Sequence, residues 1–99
     1  MNLAEDKPLW TPSPARIASS NLTAFRVAAE QRWGVPLPDY EAFYAWSVER
    51  PEQFWVSVWE GAGTGGPVIG VRGERVLVDG ERMPGASWFP DARLNFAQN

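Results

Sequence analysis

The sequence predicts an α+β fold that is mainly helical, with two to three N-terminal helices followed by a glycine-rich loop and a short β-hairpin. Three observations carry this. Apolar residues between positions 14 and 60 recur at steps of three and four, the spacing of one face of a helix. Prolines preceded by polar residues sit where those stretches begin. Only after "GAGTGG" (61–66) does a β-branched run occur, "RVLV" leading into Asp79-Gly80.

Each element follows from local chemistry. Residues 1–12 carry Pro8 and Pro12 around Leu9 and Trp10 and read as an extended tail anchored by its tryptophan. Ser13-Pro14 starts a helix, because the serine hydroxyl accepts an orphan amide proton and proline at the first turn has none to waste. Ala18, Leu22, Phe25, Ala29 and Trp33 form its apolar stripe, and Gly34 with Val35-Pro36 closes it. "SSN" (19–21) offers a second cap, so this stretch reads either as one helix or as two.

Asp39 caps the next helix, in which Tyr40, Phe43, Tyr44 and Ser47 share a face. Pro51 marks a boundary, since proline disfavours helical geometry in the residue before it and suits the first turn of a new helix. The helix after it, "PEQFWVSVWE", places Phe54, Trp55, Val58 and Trp59 on a broad apolar face. Asp79-Gly80, a dipeptide favoured in tight turns of positive φ, closes the hairpin, and Pro84-Gly85 ends it.

Composition excludes much chemistry. The 99 residues suit one domain with a modest core, and 44% apolar with 21% charged residues is the balance of a globular chain. Cysteine and histidine are both absent, which removes disulfides, thiolate and imidazole catalysis and the usual zinc sites. A net charge of −3 with scattered basic residues gives no footprint for nucleic acid or anionic lipid. The opening stretch "MNLAEDKPLW" has no apolar run of signal length and nowhere is there a run long enough to span a bilayer, so the expected compartment is cytoplasmic.

The motifs that do occur are weak. Gly61, Gly63 and Gly66 spell G-x-G-x-x-G, but a dinucleotide loop must follow a buried strand and open a helix, whereas these glycines follow a helix and precede Pro67. "GTGGP" faintly echoes an ATP-binding loop yet lacks its lysine. Asn21-Leu22-Thr23 fits a glycosylation sequon with no secretory signal to use it. Asp39, Glu41, Glu49, Glu52 and Glu60 are spread over helix starts and solvated faces without forming a catalytic pair. Six tryptophans are the unusual feature, and Trp33, Trp55 and Trp59 on apolar stripes read as core or interface in preference to ligand platforms.

Three stretches, "PLWTPSPARIASSNLTAF" (8–25), "YEAFYAWSVERPEQFWVSVWE" (40–60) and "RVLVDGERMPGASWFPDARLNFAQN" (75–99), together resemble the N-terminal region of acetoacetyl-CoA synthetases, acyl-CoA ligases related to acetyl-CoA synthetase in the adenylate-forming superfamily. The most specific parts are Pro-Glu-x-Phe-Trp and the terminal "WFPxARLNFAxN". Gln98 stands where the family usually shows glutamate, and "GAGTGGPVIG" replaces a more aromatic join.

The resemblance implies a parent enzyme that activates acetoacetate with ATP and Mg²⁺ and transfers the acyl group to CoA. It places the phosphate loop, the substrate pockets and the catalytic lysine beyond Asn99. The chain is therefore expected to hold no catalytic, cofactor-binding or metal-binding residue. It is read as one truncated N-terminal domain, residues 1–99: an extended tail (1–12), a helical part (13–60), a glycine-rich loop (61–74), and a hairpin leading into the absent adenylation domain (75–99). Its expected work is packing against the remainder of the synthetase chain, with Phe54, Trp55, Val58, Trp59, Trp88, Phe89, Leu94, Asn95 and Phe96 as interface. The competing reading is a free-standing module that uses exposed tryptophans to hold a peptide or small ligand. It predicts a self-contained core and a concave aromatic pocket, whereas the packing reading predicts a flat apolar patch.

Overall fold

The computed structural model describes residues 7–62 and 66–99. It is mainly helical, with α1 (Pro14–Ala18), α2 (Asn21–Trp33), α3 (Tyr40–Glu49) and α4 (Pro51–Glu60) followed by β1 (Gly70–Val71), β2 (Leu77–Val78), β3 (Ser87–Trp88), β4 (Arg93–Leu94) and a 3₁₀ turn at Phe96–Gln98.

The first helical stretch splits at Ser19–Ser20. Ser13 caps α1, accepting from the Arg16 amide at 3.2 Å. The Ser20 hydroxyl then accepts from the Thr23 amide at 3.2 Å and donates to the Ile17 carbonyl at 2.8 Å. The Thr23 hydroxyl donates to the same carbonyl at 2.6 Å. Two hydroxyls thus satisfy the end of one helix while opening the next, so the uninterrupted alternative does not form. On α2, Ala29 is buried and Phe25 and Trp33 are half-buried, whereas Ala18 and Leu22, counted on the same stripe, are exposed. Gly34 ends α2 at φ +65, its amide donating to the Glu30 carbonyl at 2.9 Å.

The α2–α3 connection is pinned by α2 itself. Leu37, 1% exposed, donates its amide to the Glu30 carboxylate at 2.8 Å and accepts at its carbonyl from Arg26 Nη1 at 2.6 Å. Asp39 caps α3 by accepting from the Ala42 amide at 2.9 Å. The buried face of α3 differs from the expected one. Phe43 and Trp46 point inward, while Tyr40 and Tyr44 stack on each other outside, rings 6.4 Å apart and nearly parallel. Their hydroxyls stay wetted that way, and the indole N–H of Trp46 finds the Gln53 carbonyl oxygen at 2.8 Å.

The core is small: Ala29, Leu37, Phe43 and Trp46, ringed by Phe25, Trp33, Val35 and Phe54. Edge-to-face contacts at 5.7 to 6.2 Å link Phe25, Phe43, Trp46 and Phe54, bringing α2, α3 and α4 together. A polar relay crosses the same interface: Trp33 Nε1 donates to Ser57 Oγ at 2.7 Å, and Ser57 donates to the Gln53 carbonyl at 3.0 Å. Arg32 and Glu60 close the α2–α4 seam at 3.1 Å.

The strands form two nested antiparallel pairs. β2 pairs with β3 (Leu77↔Trp88, Val78↔Ser87), and β1 pairs with β4 outside them (Gly70↔Leu94, Val71↔Arg93). The predicted tight turn at Asp79-Gly80 is not the hairpin's closure. Only Asp79 has positive φ, so the two-residue turn, which needs it at both positions, does not form. Glu81, Arg82 and Met83 are left exposed, whereas Trp88 and Phe89 pack on α4, so the strand returns there, across a longer loop from Asp79 to Ala86.

Two further expectations meet different outcomes. Trp10 is 70% exposed and Leu9 fully so, and among the described residues the tail is not anchored by its tryptophan. In the predicted glycine-rich loop (61–74), residues 63–65 lie outside the described residues, as do residues 1–6 of the tail.

Candidate interaction surface

The residues expected at an interface come from two places, α4 and the segment from Trp88 to Phe96. They meet in the fold. Trp55 packs against Trp88 with ring centroids 5.4 Å apart, and Trp59 against Phe89 at 5.2 Å. Phe54, one residue earlier, turns inward and joins the aromatic core. The outer flank of α4 therefore carries the ribbon, each aromatic pair adding about 0.5–1.5 kcal/mol beyond its buried area. Trp55, Trp88 and Phe89 line an open concavity of about 320 Å³. Val58 stays exposed beside them.

The ribbon owes its shape to an interruption between its two ladders. Phe89 has positive φ, and its amide still donates to the Val76 carbonyl at 2.8 Å. A turn follows, closed by the Ala92 amide on the Phe89 carbonyl at 3.0 Å. Arg75 grips Asp91 through two bonds, Nε to Oδ2 at 2.8 Å and Nη2 to Oδ1 at 2.6 Å. That bidentate contact holds the Asp91 carboxyl below its ordinary range and raises the Arg75 guanidinium above its own. Gly73, at φ +81, sits where any Cβ would collide with Asp91.

The last turn is held by two asparagines. Asn95 Oδ1 accepts from the Ala97 amide at 2.9 Å, capping the 3₁₀ turn. The Asn99 side chain bonds both backbone groups of Ile69, accepting from its N–H at 2.6 Å and donating to its C=O at 3.0 Å, as a third strand residue would. Its Nδ2 also donates to the Asn95 carbonyl at 3.1 Å. Asn95, expected at an interface, thus has a local duty. The clasp made by Asn99 was not foreseen, although the Asn-x-x-x-Asn spacing was its available signal. Leu94 remains 51% exposed and Phe96 92% exposed.

Chemically this is an apolar surface. Among the described residues no group of three or more carboxylate, cysteine or histidine side chains could hold a metal ion. Gly61 follows α4 and Gly66 precedes Pro67, with Gly63 outside the described residues, so the described glycines open no helix that could meet a pyrophosphate. No helix among the described residues is long and apolar enough to cross a membrane.

A small helical domain with an attached ribbon, showing aromatic and aliphatic groups outward and assembling no catalytic constellation among its described residues, is the class of protein this geometry defines. Residues 40–99 match the family model described as the acetyl-coenzyme A synthetase N-terminus, and the chain belongs to that family. It is 44% identical to an acetoacetyl-coenzyme A synthetase of Rhizobium meliloti over 95% of its own length, and 31% identical to an acetoacetyl-CoA synthetase of Danio rerio over 98%. A malonamoyl-CoA synthetase of Penicillium aethiopicum is 31% identical over 92% of the chain. The chain spans only 14% of the length of the first two relatives and 12% of the third. No solved structure matches it.

Proposed function

We propose that this chain is the N-terminal packing segment of an acetoacetyl-CoA synthetase. In the whole enzyme, acetoacetate, ATP and CoA become acetoacetyl-CoA, AMP and diphosphate, with Mg²⁺ assisting at the phosphates. The observation that carries the reading is the 44% identity to the Rhizobium meliloti synthetase across nearly all of this chain.

The segment contributes no catalytic group. Its partner is the remainder of the synthetase polypeptide, and the contact surface is the α4 flank with the ribbon: Trp55, Val58, Trp88, Leu94 and Phe96, backed by Phe54, Trp59, Phe89 and Asn95. Burying a large apolar side chain there is worth about 1.5–3 kcal/mol. Relatives whose names specify acetoacetyl and malonamoyl groups match the same region, which supports a task common to both and independent of the acyl group.

Complementation tests this. The Rhizobium meliloti synthetase, stripped of the residues this chain matches, is mixed with the purified chain, and acetoacetate-dependent AMP release is followed. Recovery of activity in proportion to added chain is the expected result, and no association and no recovery at saturating chain would refute the reading.

A further inference from the structure

We infer that Phe96 is a preorganised anchor, presented by an asparagine-locked turn to an apolar, uncharged pocket in the remainder of the synthetase polypeptide. This rests on the packing function proposed above and names the side chain on which the contact turns.

Exposure alone does not single Phe96 out. Leu9, Trp10 and Met83 are also bare, but Leu9 and Trp10 lie in the tail before α1, and Met83 lies on the long loop, where one backbone bond from the Arg82 amide to the Asp79 carbonyl at 3.0 Å and an Arg82–Asp79 ion pair at 3.9 Å stand in place of the four side-chain bonds that hold the turn at Phe96. Phe96 sits between two asparagine side chains that make four hydrogen bonds, all to backbone: to Ala97, to Asn95, and to both groups of Ile69. Those bonds remove the backbone freedom that a flexible turn would lose on docking, so only the two side-chain torsions of the ring remain to be ordered when it enters a pocket. A large aromatic group on a rigid support is the usual make-up of an interface hot spot.

The surroundings specify the occupant. Leu94 extends the apolar area beside the turn on one face of the outer ribbon, and Ile69 and Val71, also exposed, lie on the other. Asp91 is neutralised by Arg75, and every side chain from Leu94 to Asn99 is uncharged, so the turn that carries Phe96 suits an uncharged, apolar partner. The relatives are about seven times as long as the matched region, which the family description places at their N-terminus and which runs through position 99. In them the polypeptide following this turn is the nearest source of such a pocket.

The test uses a full-length chimera, in which this chain replaces the matched residues of the Rhizobium meliloti synthetase. 4-Fluorophenylalanine placed at position 96 reports solvent contact through the H₂O/D₂O shift of its fluorine resonance. The shift is expected in the 99-residue chain and lost in the chimera. Phe96→Ala should shorten the half-life of chimera activity on mild heating at least ten-fold, whereas Met83→Ala stays within two-fold. Asn99→Ala should broaden or split the fluorine line in the short chain, a change that loss of bulk alone would not produce.

An active chimera whose position 96 still feels solvent, or whose Phe96→Ala variant keeps its half-life, overturns the anchor while leaving the packing function intact. An inactive chimera overturns both. If the short chain sediments as a dimer that Phe96→Ala dissociates, the pocket belongs to a second copy and the inference fails.

Discussion

Ser57 has almost no exposed surface, yet its hydroxyl is shared between two elements, accepting from the Trp33 indole and donating to the Gln53 carbonyl. Ser57→Ala leaves that indole N–H without a partner at a half-buried site, and the expected loss is about 1–3 kcal/mol, read from chemical denaturation. Leu37→Ala should cost more, about 2–5 kcal/mol, because the side chain is fully enclosed and its own backbone is held in place by Arg26 and Glu30, so the site cannot collapse onto the cavity. Either loss is large against the stability of an ordinary domain. Asp91 supplies a pH dependence of definite sign. Its folded-state pKa is depressed by Arg75, so its contribution is complete above the ordinary carboxylate value of about 3.9 and fades as pH falls below it. Ribbon stability, followed through the exchange protection factors of the Phe89 and Ala92 amides, should therefore be level from neutral pH to about 5 and decline below about 4. Asp91→Asn should abolish that decline, and because the pair is exposed, added salt should shrink it.

At the scale of elements, caps decide where helices begin, and these were legible because a cap is a local chemical event. Ser13, Asp39, Pro51 and Gly34 each sit where their side chain or φ demands. Ser20→Ala should loosen α1 from α2 and cost about 0.5–2 kcal/mol, seen as faster exchange of the Thr23 and Ala24 amides. Less of the packing could be read in advance. Helical spacing showed that α3 has an apolar face but not that Trp46, with Gln53 waiting for its indole, would displace the two tyrosines from it. The hairpin was misjudged in closure and not in kind: Asp79-Gly80 carries a strong turn signal, but the strand returns where Trp88 and Phe89 can cover α4. Such a decision depends on residues some thirty positions away, which no local pattern contains. The expected interface residues were brought together in part, Trp55 with Trp88 and Trp59 with Phe89, while Phe54 went to the core.

The whole molecule is looser than its length requires. Its radius of gyration is 16.7 Å, against about 13 Å for a compact chain of this size. Its accessible surface is 7712 Å², against about 5,600 Å² for a typical folded monomer of this length. Among the described residues, large apolar groups such as Trp10, Met83 and Phe96 are exposed. One side of a standard protein–protein contact needs about 800 Å², so the chain has surface enough to give. The purified chain should accordingly bind an apolar dye such as ANS, and the signal should fall when the truncated Rhizobium meliloti synthetase is added; dye binding unchanged at saturation would count against that partner.

The nesting of the strand pairs has a kinetic corollary. Once Val78 and Ser87 meet, each rung further out closes a shorter remaining gap, so the ribbon zips from its loop toward its open end and comes apart in reverse. The Asn99–Ile69 clasp is the terminal tooth of that zip. It is then the first to release, and amide exchange should quicken step by step from Val78 to Val71 to Ile69 while the helices keep their protons.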